Sequence, residues 1–423
     1  MGEPAGDPLE LEYAHGPSDL RLVRQPGPPG THSVAATFVA PAGWAYDPPR
    51  GEATARLAGL LATSGAGGRD RRALARYLDR LGASLSPRVD PESAEVTIWG
   101  PAAPWEALLG ILADVVLRPR FGPDDLARVR RQLLERQLQD GAQPGHRAER
   151  EMLAALFPSG HPYRSTGVGD RASLARIGAA SIGRFRRAHF AGPGCMLVVT
   201  GPVPLDRLRR VAGRLFAELP STGPAPPAVP TPRPAPREIR IDLPGTAQVE
   251  VRLARVSIAR ADPTYPAAYL ANEILGGSSM LSRLYARVRG RDGLAYHASS
   301  QLESSRWGGY WEARVGTGPD RWRRVVPMLR EEAGRLVHRP VPSAELATMR
   351  ESRIGAVRLA LESTAEAHEL AVDAAYHGLA PDYWRRWPEV LRGLAAEDVR
   401  RAAEAAIDPT DAVTVVVGPV GRR

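Results

Sequence analysis

The sequence predicts an α+β protein of two homologous domains, each a mainly antiparallel sheet with helices packed on one face. Three observations lead to this prediction: a proline-rich segment near the middle, an internal repeat, and strands grouped with helices instead of alternating strictly with them. A chain of 423 residues also exceeds what one ordinary hydrophobic core accommodates. The predicted division is a first domain at 1–219, a linker at 220–236 and a second domain at 237–423.

The linker and the repeat support each other. The linker, PSTGPAPPAVPTPRPAP, is dense in proline, which removes amide donors and favours extended backbone. On either side of it, CMLVVTGPV at 195–203 corresponds to AVTVVVGPV at 412–420. The matching glycines, 201 and 418, define a shift of 217 residues, which also places 51–68 opposite 268–285. Two copies of one structural unit explain this correspondence.

Each half follows the same order of elements. Alternating apolar residues near 32–39 and 249–256 are typical of half-buried strands. Each strand is followed by a predicted helix, at 52–63 or at 265–275, that ends at glycine. In the first half the remaining elements are predicted as helices at 71–81, 104–117, 123–139 and 181–189, and strands at 85–89 and 94–99. In the second half a helix at 281–288 and a strand at 294–302 follow a glycine pair.

Composition excludes several classes of protein. The formal charge of +9 comes entirely from arginine, which is spread over helical stretches without basic blocks or interleaved aromatic residues, so no nucleic-acid partner is predicted. The single cysteine, Cys195, lies in an apolar run and is predicted to be a small buried hydrophobe. No apolar run is long enough for a membrane helix, and the N-terminus lacks the apolar region of a secretory signal. The predicted location is cytoplasmic.

The segment LGGSSMLSRLYARVRGRDGLAY, residues 275–296, resembles a signature of the insulinase and mitochondrial-processing-peptidase (pitrilysin-type) family of zinc metallopeptidases. Further segments occur in the order of that family: LGASLSPRVDPESAEVTIWG, VVLRPRFGPDDLARVRRQLLER, HPYRSTGVGDRASLARI and FRRAHFAGPGCMLVVTGPV. The resemblance implies that Arg289 and Tyr296, seven positions apart, help to hold a peptide substrate. It also implies substrate binding by Gly276, Gly277 and Ser278.

The zinc motif of the resembled family, H-x-x-E-H, is absent. That motif places two histidine ligands on one helical face, with a glutamate base between them and a distal glutamate as third ligand. In the family register Arg56 and Leu60 replace the histidines and Gly59 replaces the base. Arg136, or Glu135 if the register moves by one residue, takes the distal position. Because a guanidinium has no lone pair to offer a cation, no zinc is predicted in this chain.

No replacement catalytic site is evident among the other residues. His368, followed by Glu369 and later His377, has the wrong spacing for two metal ligands, and these positions are predicted to be exposed on an amphipathic helix. His161 is predicted to be a turn residue. The Arg289–Tyr296 pair has two interpretations: the guanidinium orients the phenol as a donor to an oxyanion, or Arg289 binds helix-terminal carbonyls while Tyr296 packs in the core.

The leading functional prediction is a metal-free subunit of a heterodimeric zinc peptidase. The resemblance implies a homologous partner with an intact H-x-x-E-H motif, which supplies zinc and the general base. This chain would contribute Arg289 and Tyr296 and bind an unfolded peptide, such as a leader peptide, along a sheet edge. Two alternatives remain open: a structural or assembly subunit without a role in proteolysis, and a stand-alone peptide-binding protein.

Overall fold

The computed structural model describes residues 9–233, 236–278 and 280–421. Residues 1–8 of the predicted first domain, 234–235 of the predicted linker, Ser279 of the signature segment and 422–423 of the second domain lie outside the described residues. The predicted α+β class, with sheets rich in antiparallel pairs and with helices packed against them, is confirmed.

Thirteen strands occur within the described residues. In chain order they are β1 (Glu12–His15), β2 (Arg21–Gln25), β3 (Ser33–Ala40), β4 (Gly65–Ala66), β5 (Arg69–Asp70), β6 (Ser84–Val89), β7 (Ala94–Pro101), β8 (Met196–Thr200), β9 (Glu238–Asp242), β10 (Val249–Ser257), β11 (Ala295–Ser305), β12 (Gly308–Thr317) and β13 (Val413–Gly418). The predicted strands at 85–89, 94–99 and 294–302 each correspond to one of these within a few residues.

Fourteen α-helices occur in the same described ranges. They are α1 (Thr54–Leu60), α2 (Arg71–Leu81), α3 (Trp105–Leu117), α4 (Pro123–Ala142), α5 (Pro144–Leu156), α6 (Arg171–Arg176), α7 (Ala179–His189), α8 (Leu205–Leu215), α9 (Tyr265–Asn272), α10 (Trp322–His338), α11 (Ser343–Ala360), α12 (Thr364–Tyr376), α13 (Tyr383–Gly393) and α14 (Ala396–Ile407). Two π-helical segments, Glu273–Gly277 and Tyr285–Arg291, replace the ends of predicted α-helices.

The two large sheets have the same strand arrangement when one order is reversed, except that the first sheet has the additional strand β1. The first has the strand order β1-β2-β8-β3-β7-β6, and the second has the order β11-β12-β10-β13-β9. The pairs β2–β8 and β9–β13 are parallel, while the remaining pairs in these sheets are antiparallel. The strands β6 and β11 each lie at a sheet edge, so one row of backbone donors and acceptors on each is not used within the sheet.

The chain folds into two compact units that a single boundary does not separate. Unit 1 comprises the residues up to Glu135 together with Gly167–Ala228 and Ala356–Arg386. Unit 2 comprises Arg136–Thr166, Val229–Gly355 and the residues from Trp387 onward. Each unit therefore contains a helical segment encoded in the other half of the chain: α12 belongs to unit 1 and α5 belongs to unit 2.

In unit 1, successive apolar residues of a strand point to opposite faces of the sheet, so both faces are apolar. Phe38 and Leu197 point into the main core beneath α1, α3 and α8. Val39 and Val198 point to the other face, where α12 packs against them through Ala371. This second layer was not anticipated from the sequence, because the helix that forms it follows the sheet by more than 160 positions.

In unit 2, α5 covers the sheet in a comparable way. Its Ala148, Met152 and Leu156 pack against Ala254 of β10 and Val415 of β13. No helix within the described residues is both long enough and apolar enough to cross a membrane.

Candidate functional site

The helix at the position of the family zinc motif is α1 in unit 1. Ala53, just before it, adopts a left-handed conformation with φ of 80°. The carboxylate of Asp47 accepts hydrogen bonds from the backbone N–H groups of Ala53 (2.8 Å) and Ala55 (2.7 Å), which fixes the start of the helix. Burial raises the pKa of Asp47 to about 7, and the nearby charge of Glu52 acts in the same direction.

At the first ligand position, Arg56 extends over an aromatic ring. Its guanidinium lies 4.8 Å from the ring centre of Trp44, which is a cation–π contact. The side chain is partly buried, so a permanent positive charge occupies the place where a neutral imidazole would be needed. A dication at this position would be repelled.

The general-base position, Gly59, is blocked by a neighbouring strand. A Cβ atom built on Gly59 would lie 2.2 Å from Cγ2 of Val89 on the edge strand β6. Val89 therefore fills the space that a glutamate side chain would need. Leu60, at the second ligand position, is partly buried and packs against the core of unit 1.

The distal position lies on α4. Both Glu135 and Arg136 have exposed side chains, and the guanidinium of Arg136 lies 3.8 Å from the carboxylate of Asp140 one turn later. Across residues 9–233, 236–278 and 280–421, no group of three or more histidine, cysteine, aspartate or glutamate side chains is arranged to hold a metal ion. The side chains at α1 do not fit zinc. That the purified protein binds no zinc stays a prediction.

In unit 2, the glycine pair closes a helix against the edge strand. A Cβ atom on Gly276 would lie 2.4 Å from the backbone nitrogen of Ser300 in β11, so this position requires glycine for close packing. Ser278 is also buried, whereas Gly277 is exposed. Of the three residues predicted to bind substrate, Gly277 is thus the accessible one, and Gly276 positions the edge strand.

Tyr296 lies at an irregularity near the start of β11. Ala295 pairs with Thr317 and His297 pairs with Gly316, so Tyr296 is the extra residue of a β-bulge. A bulge turns a side chain away from the regular alternation of its strand. The side chain of Tyr296 is 65% exposed, which contradicts the interpretation that it packs in the core.

Arg289 is exposed on the π-helical segment that precedes β11. Its guanidinium lies 5.3 Å from the ring centre of Tyr285, one turn earlier. The orientation of the Tyr296 hydroxyl by this guanidinium stays a prediction. Both side chains nevertheless remain accessible in unit 2, where they could bind an added molecule.

Sequence reasoning missed a charged network directly behind Tyr296. The ring of His297 lies over Gly316, where a Cβ atom would approach it to 2.3 Å, and reaches the buried carboxylate of Glu250 at 3.4 Å. Behind Glu250, the buried Arg252 is 2.5 Å from the carboxylate of Glu312. The only signal in the sequence was the position of His297 next to Tyr296. These contacts join side chains of β11, β10 and β12.

His368 is not exposed, so that part of the sequence prediction is wrong. Its ring is fully buried between Thr37 (2.7 Å) and Thr200 (2.9 Å), whose hydroxyl groups bond its two nitrogens. Burial lowers the pKa of His368 to about 3, so the ring is neutral. The physical reason for the error is that α12 packs on the sheet of unit 1, where polar β3 and β8 side chains meet the ring.

Two other sequence predictions are confirmed. Cys195 is buried in the core of unit 1, and burial raises the pKa of its thiol to about 12. His161 is a turn residue, since its Nδ1 accepts a hydrogen bond from the backbone of Tyr163 at 3.0 Å.

Comparison with known families matches both parts of the chain. Residues 25–166 match the domain described as insulinase (peptidase family M16), and residues 176–353 match the domain described as peptidase M16 inactive domain. Coenzyme PQQ synthesis protein F of Pseudomonas aeruginosa is 33% identical over 178 residues, which is 40% of this chain. That match spans 22% of the length of the relative.

Two further proteins match nearly the whole chain. An uncharacterized zinc protease of Rickettsia bellii is 22% identical over 92% of this chain and 93% of its own length. The crystal structure described as a peptidase M16 inactive domain from Pseudomonas fluorescens superposes with a TM-score of 0.91 at 23% identity. It covers 98% of this chain and 99% of its own, which establishes the shared fold.

Proposed function

The chain belongs to the insulinase (peptidase M16) family, and we propose that it is the metal-free subunit of a heterodimeric zinc peptidase. In this proposal it binds and orients an unfolded peptide, while a homologous subunit with an intact H-x-x-E-H motif carries the zinc ion and general base. The proposed location is cytoplasmic. The similarity to a protein of coenzyme PQQ synthesis makes the leader peptide of a biosynthetic precursor a reasonable first substrate to test.

The observation that carries the proposal is a difference in accessibility. At α1, Arg56 and Val89 occupy the space of the family metal site. In unit 2, by contrast, Tyr296 presents its phenol to solvent at the end of an open sheet edge. A chain with these properties is suited to holding a peptide and unsuited to holding the metal.

The proposed binding mode uses the backbone of β11. An extended peptide adds to an open sheet edge through main-chain hydrogen bonds, which makes binding tolerant of peptide sequence. Tyr296 lies at the start of this edge, where its hydroxyl would donate a hydrogen bond to a peptide carbonyl. As the carbonyl oxygen gains negative charge, that bond strengthens and favours the transition state. Arg289 contributes a positive charge to the same region.

The decisive experiment measures peptide cleavage by the chain co-purified with a zinc-binding homologue. We expect Tyr296→Phe to lower turnover by ~10²–10³-fold, as for the loss of one oxyanion donor. The matched control is Tyr13→Phe, because Tyr13 is a partly exposed tyrosine in unit 1. Equal turnover in wild type and Tyr296→Phe would reject the chemical role of Tyr296.

The same preparation distinguishes the two alternatives. A structural subunit predicts an assembly that forms with the homologue but cleaves no peptide. A stand-alone peptide-binding protein predicts tight binding by the isolated chain, for which the open edge of β11 is the supporting observation. Metal analysis of the isolated chain should give much less than one zinc per molecule, and stoichiometric zinc with unassisted proteolysis would overturn the proposal.

A further inference from the structure

Unit 2 contains a cleft whose described lining includes no residue of β11, the proposed peptide-binding edge. The cleft has a volume of about 560 Å³, within the range of ligand-binding pockets. Its lining is dominated by arginine and proline: Arg283, Ala286, Arg287, Glu332, Arg335, Arg339, Pro340 and Pro342. No aromatic side chain is among these described lining residues, so the cleft lacks the stacking surface typical of single-stranded nucleic-acid sites.

The arginines form two pairs of like charge on facing segments. Arg283 and Arg287 are four residues apart on the helical segment 283–291. Arg335 lies in the last turn of α10, and Arg339 is the extended residue that follows the helix. Arg283 and Arg287 are therefore neighbours on one helical face, where like charges are destabilising. Both segments nevertheless direct their arginines toward the same cleft.

Three of these guanidinium groups are held in position by carboxylates. Glu332, which is buried, accepts hydrogen bonds from Arg287 (2.5 Å) and Arg335 (3.0 Å). A second carboxylate, Glu331, bonds the same two arginines at 2.6 Å and 3.1 Å. Because these side chains are already ordered, less rotamer entropy is lost when a ligand binds.

Arg283 is fixed in a similar way at the other end of the cleft. Its guanidinium forms a two-point contact with Glu345, at 2.8 Å and 2.7 Å. Arg339 differs, since its exposed side chain has no hydrogen bond or ion pair with any described residue. Four guanidinium groups therefore face three carboxylates, and Arg339 provides the free positive charge.

We propose that this cleft binds an acidic peptide segment through carboxylate–guanidinium contacts, with Arg339 as the principal contact. A guanidinium matches a carboxylate through two parallel hydrogen bonds. The apolar lining of Ala286, Pro340 and Pro342 suits the aliphatic part of glutamate side chains. A free phosphate ion shares the charge chemistry but not these apolar contacts. The proposal holds whether or not the chain takes part in proteolysis.

The test uses the full chain and a fluorescein-labelled hexaglutamate peptide, followed by fluorescence anisotropy, with hexaglutamine as the neutral probe. We expect saturable binding of hexaglutamate alone, weakened about 10-fold by Arg339→Ala, as for the loss of one charged hydrogen-bonding group. Arg339→Lys keeps the charge but not the two-point geometry, so its affinity for hexaglutamate should lie between those of wild type and Arg339→Ala. The control, Arg358→Ala, removes an exposed arginine of unit 1 that lies outside the cleft.

Several outcomes would overturn the proposal. Absence of hexaglutamate binding would show that the arginines form only an internal ion-pair network. Equal weakening by Arg339→Ala and Arg358→Ala would show attraction by overall charge without a defined site. Binding of inorganic phosphate as tight as that of hexaglutamate, lost in Arg339→Ala, would identify a free anion as the ligand instead of a peptide.

Discussion

The two units have a glycine at corresponding helical positions, and the surroundings of the two glycines differ. The shift of 217 residues pairs Gly59 of α1 with Gly276 at the end of the α9 region. Gly59 faces the side chain of Val89 on β6, and Gly276 faces the backbone of Ser300 on β11. In both units, the missing side chain lets an edge strand approach the helix. The same packing requirement therefore explains both glycines, although the sequence predicts different roles for them.

The difference lies in what surrounds each glycine. In unit 1, Arg56 is stacked on Trp44 and Val89 fills the remaining space. The position corresponding to Arg56 in unit 2 is Glu273, which is buried and lies 3.0 Å from Arg353. Close packing in unit 2 thus supports an edge strand that exposes Tyr296, whereas close packing in unit 1 fills the position of the family zinc motif. In unit 2, Arg289 and Tyr296 are accessible to solvent.

The largest expected effect comes from separating Glu273 from its partner. Arg353→Met should destabilise the protein by about 3 kcal/mol, because removing the half-buried guanidinium leaves the buried carboxylate of Glu273 uncompensated. Burial already raises the pKa of Glu273, against the opposing effect of Arg353. Urea unfolding at pH 7 measures the change, and adding Glu273→Gln to the variant should recover much of the loss.

Arg392→Met provides the control for that measurement, because the pair of Arg392 and Glu351 is exposed on both sides. Such surface pairs contribute about 0–1 kcal/mol. If Arg353→Met and Arg392→Met lose the same stability, burial of Glu273 in unit 2 does not make its ion pair more important than a surface pair. The contrast with the stacked Arg56 of unit 1 would then not be reflected in stability.

The second prediction compares the glycines directly. Gly276→Ala should destabilise the protein by about 1–3 kcal/mol, since its Cβ would meet the backbone of β11 and a strand cannot move without losing pairing. Gly59→Ala should cost less, because Val89 is a side chain that can adjust. Denaturation midpoints of both variants measure the difference.

A double variant sharpens this comparison. Val89→Ala should recover the stability lost in Gly59→Ala, since it removes the atom that the new methyl group meets. Equal costs for the two alanine variants, or no recovery with Val89→Ala, would show that the two glycines are not packed as described.

The third prediction concerns pH and the start of α1, where the expected change within one pH unit is the smallest of the three. The folded-state pKa of Asp47 is raised to about 7 from an ordinary value of 3.8, so the folded protein retains a proton that the unfolded chain releases. Stability from this group is present below about pH 4 and is lost as pH rises toward 7, by on the order of 1 kcal/mol per pH unit.

Asp47→Asn should remove this component of the pH dependence. Urea unfolding of the variant and wild type at pH 5, 6 and 7 gives the difference in slope. Glu95 also has a pKa raised by burial to about 7 and is common to both proteins, so it cancels in the comparison. Parallel pH profiles would contradict the assignment to Asp47.

Local sequence patterns predicted much of the fold. The helix predicted at 71–81 coincides with α2, because Asp70 caps its first turn and Gly82 ends it in a left-handed conformation. The helix predicted at 265–275 changes to a π-helical segment after Asn272. Its end depends on close packing between Gly276 and Ser300, which periodicity does not encode.

Side-chain environments were predicted less well. His368 was expected to lie at an exposed position of an amphipathic helix. Its burial depends on hydroxyl groups from Thr37 and Thr200, both more than 160 positions away. Tyr296 was ambiguous for a similar reason, since the bulge that exposes it is defined by pairing with β12.

The sequence by itself determined the repeat, the order of strands and helices, and the absence of an H-x-x-E-H motif at α1, because each depends on residue identity or on periodicity within a short window. Only the tertiary structure decided which residues fill the space beside Gly59, which helices cover each sheet and which side chains remain accessible. These properties depend on contacts between residues far apart in the chain, and such contacts are specified by the packing of the whole fold.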